Sequence, residues 1–93
     1  MSMANKIRCA HILVEKMSLA NELHDRITKG ESFAKLAEQY SIDGTRKRGG
    51  DLGFFGHGEM VREFEQAAFA LQVGQVSPVV RTQFGYHIIK RLA

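Results

Sequence analysis

The spacing of hydrophobic and polar positions divides the chain into strand-like and helix-like stretches. Lys6–Glu15 alternates: Ile7, Cys9, His11 and Leu13 fall on one face, and Arg8, Ala10, Ile12 and Val14 on the other. Because both faces are partly apolar, the pattern predicts a central strand. Ser18 is placed to cap a helix that presents Leu19, Leu23 and Ile27 and stops at Gly30. Ser32 is placed to cap a second helix, with Phe33, Leu36, Ala37 and Tyr40 as its stripe. Only Gly30 and Glu31 separate the two, so they pack as neighbours. Ser41 to Gly50 is polar and basic and predicts a loop with room for one short helical turn. Asp51–Phe55 reads as a short strand, Gly56–Gly58 as a turn, and Val61–Leu71 as a helix with Phe64, Ala67, Ala68 and Leu71 inward. Gly74 and Pro78 punctuate the next connection. Val79–Thr82 and Tyr86–Leu92 read as strands that Gln83–Gly85 turns into a hairpin. Helices set among hairpin strands predict an α+β domain with a largely antiparallel sheet.

Composition narrows this further. With 93 residues there is enough chain for one small domain, expected over residues 6–93, with 1–5 a disordered N-terminus or expression scar. A single cysteine, Cys9, rules out an internal disulfide framework and a cysteine-based zinc site. No stretch reaches the roughly 18 apolar residues of a membrane span, so no transmembrane segment is expected. Met1–Ala10 lacks the apolar core of a signal peptide, and together with the free thiol this predicts a cytoplasmic protein. The net charge of +3 is mildly basic and too weak to imply nucleic acid. The run Arg46-Lys47-Arg48 reads as a solvated loop with a shallow phosphate footprint.

Few residues are candidates for chemistry. His11 and His87 each sit on an apolar strand face, where a histidine is ordinarily half-buried and satisfied by a carbonyl. The two could meet if the first and last strands are adjacent. His11, His87 and Asp43 could also form a set of two histidines and one carboxylate for a metal, although no local His-x-His or His-x-x-x-His spacing supports it. Cys9 lies two residues from His11, but nothing near it in sequence lowers its pKa, so a small buried hydrophobe is the better reading. The glycines of Gly49–Gly58 enclose two phenylalanines and no P-loop lysine follows, so they are turn glycines rather than a phosphate loop.

Taken in order, five segments resemble the parvulin family of peptidyl-prolyl cis-trans isomerases. They are Cys9–Val14 (CAHILV), Phe33–Ser41 (FAKLAEQYS), Gly49–Phe55 (GGDLGFF), Met60–Phe69 (MVREFEQAAF) and Thr82–Lys90 (TQFGYHIIK). The resemblance implies a fold of four antiparallel strands wrapped by helices in the order βαααβαββ. It implies that His11 and His87 are paired histidines beneath the active site, and that Thr82 is the hydroxyl bonded within their network. Asp43 falls where members carry Cys or Asp. Leu52, Met60 and Phe64 match the apolar proline pocket, and Phe55 and Phe84 its rim. The implied activity is isomerisation of X–Pro bonds, without cofactor or metal, in proline-containing peptides and unfolded or partly folded proteins, by a monomer that needs no nucleic acid. The alternative is a peptide-binding or chaperone module that uses the same groove without catalysis. Two features set the chain apart from phosphate-directed members. The connection Glu15–Ser18 is short and carries no basic clamp, and there is no tryptophan-bearing proline-binding module. In both respects the chain resembles small stand-alone bacterial and archaeal parvulins.

Overall fold

In the computed structural model residues 5–93 are described, so the expectation for residues 1–4 falls outside them; Asn5 is exposed and belongs to no regular element. Strand β1 (Lys6–Val14), apolar on both faces, lies inside the sheet. It is flanked by β2 (Asp51–Gly56) and β4 (Gly85–Arg91), and β3 (Val80–Thr82) pairs with the far side of β4. The order is β2-β1-β4-β3, and every pairing is antiparallel. The central position predicted for the first strand is therefore observed, and so is its adjacency to the last.

Alternation along β1 builds two cores. Ala10, Ile12 and Val14, with Ile88 of β4, pack against α1 (Met17–Thr28) and α2 (Phe33–Tyr40) through Ala20, Leu23, Phe33 and Leu36. Ile7 and Cys9, with Ile89 and Phe55, pack on the opposite face against Phe64 and Ala68 of α3 (Arg62–Phe69). That helix is shorter at both ends than the apolar stripe predicts. Leu71, just past it, still packs into the core.

The ends of the first two helices differ from each other. Ser32 caps α2 as expected, its hydroxyl oxygen accepting from the Lys35 N–H at 3.2 Å. Ser18 does not cap α1. The helix begins two residues earlier, at Met17, with Lys16 at the cap position and no side-chain cap bond, because only Glu15 and Lys16 separate it from β1. The turn left open after Ser41 is a 3-10 helix, Gly44–Arg48, which supplies the third helix of the expected order. Asp43 caps it, and Gly49 ends it in the left-handed region at φ 67°. Its basic residues Arg46, Lys47 and Arg48 are exposed.

Candidate functional site

The register of β1 and β4 brings the two strand histidines together. His11 lies opposite Ile89 and His87 opposite Leu13, so the histidines are diagonal neighbours on the face that α3 covers. Both are buried, and their Nδ1 atoms are 3.0 Å apart. The rings stack with centroids 5.2 Å apart, and Phe64 of α3 meets both edge-on at 5.5 and 5.3 Å. A hydrogen bond between two Nδ1 atoms needs one donor and one acceptor. The remaining partners set its direction. His11 Nε2 faces Asp43 Oδ2 at 3.2 Å, and a carboxylate only accepts, so the His11 proton belongs on Nε2. His11 Nδ1 then accepts from His87 Nδ1–H. This leaves His87 Nε2 bare to accept from the Thr82 hydroxyl, 2.6 Å away. Thr82 Oγ1 in turn accepts from the Phe84 N–H at 3.1 Å. One order of donors thus runs from the β3–β4 turn to Asp43. Its last contact is close but poorly aligned, so His11 Nε2 lacks a well-formed hydrogen bond.

Burial keeps the chain neutral. Burial, with a smaller push from neighbouring His11, lowers the pKa of His87 to about 4. Burial also lowers His11, outweighing the opposite pull of Asp43. Partial burial of Asp43 favours its neutral form, but hydrogen bonds from Thr45 and the close approach of His11 Nε2 outweigh this and bring its pKa down to about 2. At neutral pH Asp43 is an anion beside two uncharged imidazoles. Its contacts are one-sided: the Thr45 N–H at 3.0 Å, the Thr45 hydroxyl and His11 Nε2 all meet Oδ2. Oδ2 is fixed by its neighbours, and Asp43 contributes to the wall of the cleft.

That cleft has a volume of about 310 Å³. Eight of the nine residues singled out from the sequence lie at it or support it. His11, Asp43, Leu52, Met60, Phe64, Phe84 and His87 line it, and Thr82 stands behind His87. Phe55 does not. It was expected at the rim, but it is 1% exposed and packs in the core against Phe64 and Phe69. It pairs opposite Ile7 on β1, so the strand's alternation turns Phe55 inward and leaves Phe54 59% exposed. Phe84, in the β3–β4 turn, is 56% exposed at the mouth of the cleft.

Sequence reasoning missed Leu13, Glu59 and Val61, which also line the cleft, and Ser41 and Thr45, which hold it. The buried Ser41 hydroxyl oxygen accepts from the Leu13 N–H at 3.0 Å and the Asp43 N–H at 3.3 Å. The signal was there: Ser-x-Asp and Asp-x-Thr are both spacings at which a short side chain bonds the backbone two residues on. The metal set considered from the sequence is differently employed. Both Nδ1 atoms face each other and His87 Nε2 faces Thr82. Cys9 lies in the core rather than the cleft, and burial pushes its thiol up to about 11, away from the thiolate a nucleophile needs.

Comparison with known proteins places these residues in a family context. A family profile described as the PPIC-type PPIase domain matches residues 2–92. Foldase protein PrsA of Geobacillus sp. (strain WCH70) is 59% identical over 86 residues, covering 91% of this chain and 31% of that protein. The chain therefore spans about a third of the length of the curated relatives it matches. The solution structure of NmPin, the parvuline of Nitrosopumilus maritimus, is 52% identical with a TM-score of 0.87, covering 99% of this chain and 100% of that one. Pin from the psychrophilic archeon Cenarcheaum symbiosum is 56% identical with a TM-score of 0.86, covering 100% and 97%.

Proposed function

Because this chain belongs to the PPIC-type PPIase domain family, we propose that it catalyses cis-trans isomerisation of X–Pro bonds in proline-containing peptides and in unfolded or partly folded proteins, and so assists folding. The observation that carries this reading is an apolar cleft of about 310 Å³ with an ionised carboxylate in its wall.

Turning an X–Pro amide through the perpendicular state costs about 18–20 kcal/mol. Uncatalysed, it takes tens to hundreds of seconds. No bond need break. The twist removes amide resonance, so the carbonyl oxygen gives up negative charge and the molecule becomes less dipolar. Leu52, Met60 and Phe64 hold the proline ring in an apolar setting that favours this state over the planar one. Asp43, next to the rotating carbonyl, repels the planar amide's oxygen and repels the twisted one less. Only that difference accelerates the step. Thr45 and His11 keep Asp43 ionised and oriented, and the Asp43 carboxylate fixes the tautomers of the histidine pair, with the Thr82 hydroxyl donating at its far end. The same reading has one chain as the working unit and places it in the cytoplasm, the latter supported by its unpaired cysteine. Gel filtration and cell fractionation test these two points.

The deciding experiment is a protease-coupled assay on an Ala-Pro tetrapeptide, run with and without chelator. Equal acceleration in both arms is expected. Binding without acceleration would leave only the peptide-binding module, and loss on chelation would return His11, His87 and Asp43 to the metal reading.

A further inference from the structure

The charge of the cleft differs in sign from that of the whole chain. The protein carries +3, yet among the described residues the cleft is lined by two carboxylates, Asp43 and Glu59, and by no lysine or arginine. Its histidines are held neutral, so they offset neither charge. Arg46, Lys47 and Arg48 follow Asp43 in sequence, but they point into solvent from the 3-10 helix and do not line the cleft.

Glu59 is not a freely swinging surface residue. Its Oε2 accepts from the Gly56 N–H at 2.9 Å, which fixes the carboxylate within the turn between β2 and α3. That turn is held a second time by Glu65 of α3, which accepts from the Gly58 N–H at 2.7 Å and meets His57 Nδ1 at 2.8 Å. Phe84, which also lines the cleft, exposes an aromatic ring, a surface that receives cations well. Two fixed negative charges and an exposed aromatic ring thus surround an apolar pocket.

We infer that the cleft selects substrates in which a lysine or arginine stands next to the proline, with Glu59 as the residue that sets this preference. The inference rests on the isomerase reading and names its substrate class. A long basic side chain covers apolar surface with its stem and carries its charge to the rim, which suits a pocket built this way. An acidic neighbour meets repulsion from both carboxylates.

The test uses peptide series with Lys, Ala or Glu placed before the proline, and then after it. Turnover is read by the coupled assay and affinity by NMR titration. At low salt, lysine in one of the two positions should exceed alanine by about two- to fivefold for each carboxylate it reaches, the range for exposed charge pairs. Glutamate should fall below alanine. The lysine advantage should shrink as salt shortens the screening length. Glu59→Gln retains an oxygen that can accept from Gly56, so the turn is kept and the charge is lost. In this variant the lysine-to-alanine ratio should approach the value set by Asp43 alone, and a melting curve confirms folding. Equal binding and turnover of all three peptides, a preference for glutamate, or a lysine advantage unchanged by Glu59→Gln overturns the inference. If the wild type binds lysine peptides best but accelerates none of them, the isomerase reading fails while the charge selection stands as a binding preference.

Discussion

His11 and His87 face each other through their Nδ1 atoms at 3.0 Å, so the gap between the rings holds one proton. Protonating the accepting nitrogen would set two N–H groups against each other and place a positive charge in a buried space.

This predicts loss of stability in mild acid. A histidine in the unfolded chain titrates near 6.5, whereas burial and the neighbouring ring lower His87 in the fold to about 4. Below pH 6.5 the unfolded chain therefore takes up protons that the fold refuses. The folded state loses ground as pH falls, until His87 itself titrates. From His87 alone the loss between pH 6.5 and 4 is up to about 3 kcal/mol, with His11 adding in the same direction. Asp43 does not contribute in this window, because its own loss lies between its ordinary value of 3.8 and about 2. Urea midpoints measured from pH 7.5 to 4 should fall with this profile, and a flat profile would contradict the buried neutral pair.

Asp43 has two roles that separate by substitution. It caps the 3-10 helix through the Thr45 N–H, and it presents charge to the cleft. Asp43→Asn retains an acceptor for Thr45 and removes the charge. We expect kcat to fall on the order of tenfold to a hundredfold with KM nearly unchanged, as for loss of one electrostatic contact made in the activated state. Asp43→Ala loses the cap as well, at about 1 kcal/mol of stability. An Asn variant with full turnover would remove Asp43 from the mechanism.

Met60 and Phe64 both line the pocket, yet they are not equivalent probes. Phe64 is buried in the α3-side core and packs edge-on to both histidines, so Phe64→Ala should cost about 3–5 kcal/mol of stability. Met60 is only partly buried. Met60→Ala should leave the melting temperature within a few degrees and lower kcat/KM by about tenfold, the worth of most of one apolar contact. Equal melting losses for the two variants would show that the core boundary has been misplaced.

How much of this was legible in the sequence depends on the range of the signal. Alternation placed His11 and His87 on apolar strand faces, because a period of two is a local property. The match of the segments to a family then supplied their pairing, which depends on strand order. Phe55 shows the limit. Neighbouring phenylalanines at 54 and 55 alternate whichever way the strand faces, and only the pairing of Phe55 with Ile7 determines which one is buried. Ser18 fails for a related reason: a good cap residue was present, but the length of the β1–α1 connection set where the helix starts. Glu59 was invisible because an acidic residue in a glycine turn looks like any solvated loop until the cleft is formed around it.

Gly50 carries the last prediction, since it joins the two halves of the site. Its carbonyl accepts from the His11 N–H at 2.9 Å, and its own N–H donates to the Thr45 carbonyl at 2.9 Å, so one residue ties β1 to the helix that Asp43 caps. The residue sits at φ 87°, in the left-handed region, and a Cβ built there would lie 2.2 Å from the His11 carbonyl oxygen and 3.1 Å from its nitrogen. Those are backbone atoms of the central strand, which cannot turn aside as a side chain tip would. Gly50→Ala should therefore combine about 1–2 kcal/mol for the left-handed conformation with about 1–3 kcal/mol for crowding. It should also displace His11 from His87, so activity should fall even at temperatures where the variant stays folded. Gly44→Ala is the control. It opens the 3-10 helix to which Gly50 is tied, a Cβ there meets nothing within 4 Å, and its φ is not in the left-handed region. Alanine at that position should be neutral or stabilising by a few tenths of a kcal/mol up to about 1 kcal/mol, through reduced freedom of the unfolded chain. Melting curves and peptide kinetics on the pair decide the matter. If Gly50→Ala melts and turns over like Gly44→Ala, the close approach of Gly50 to His11 is not what holds the histidine in place.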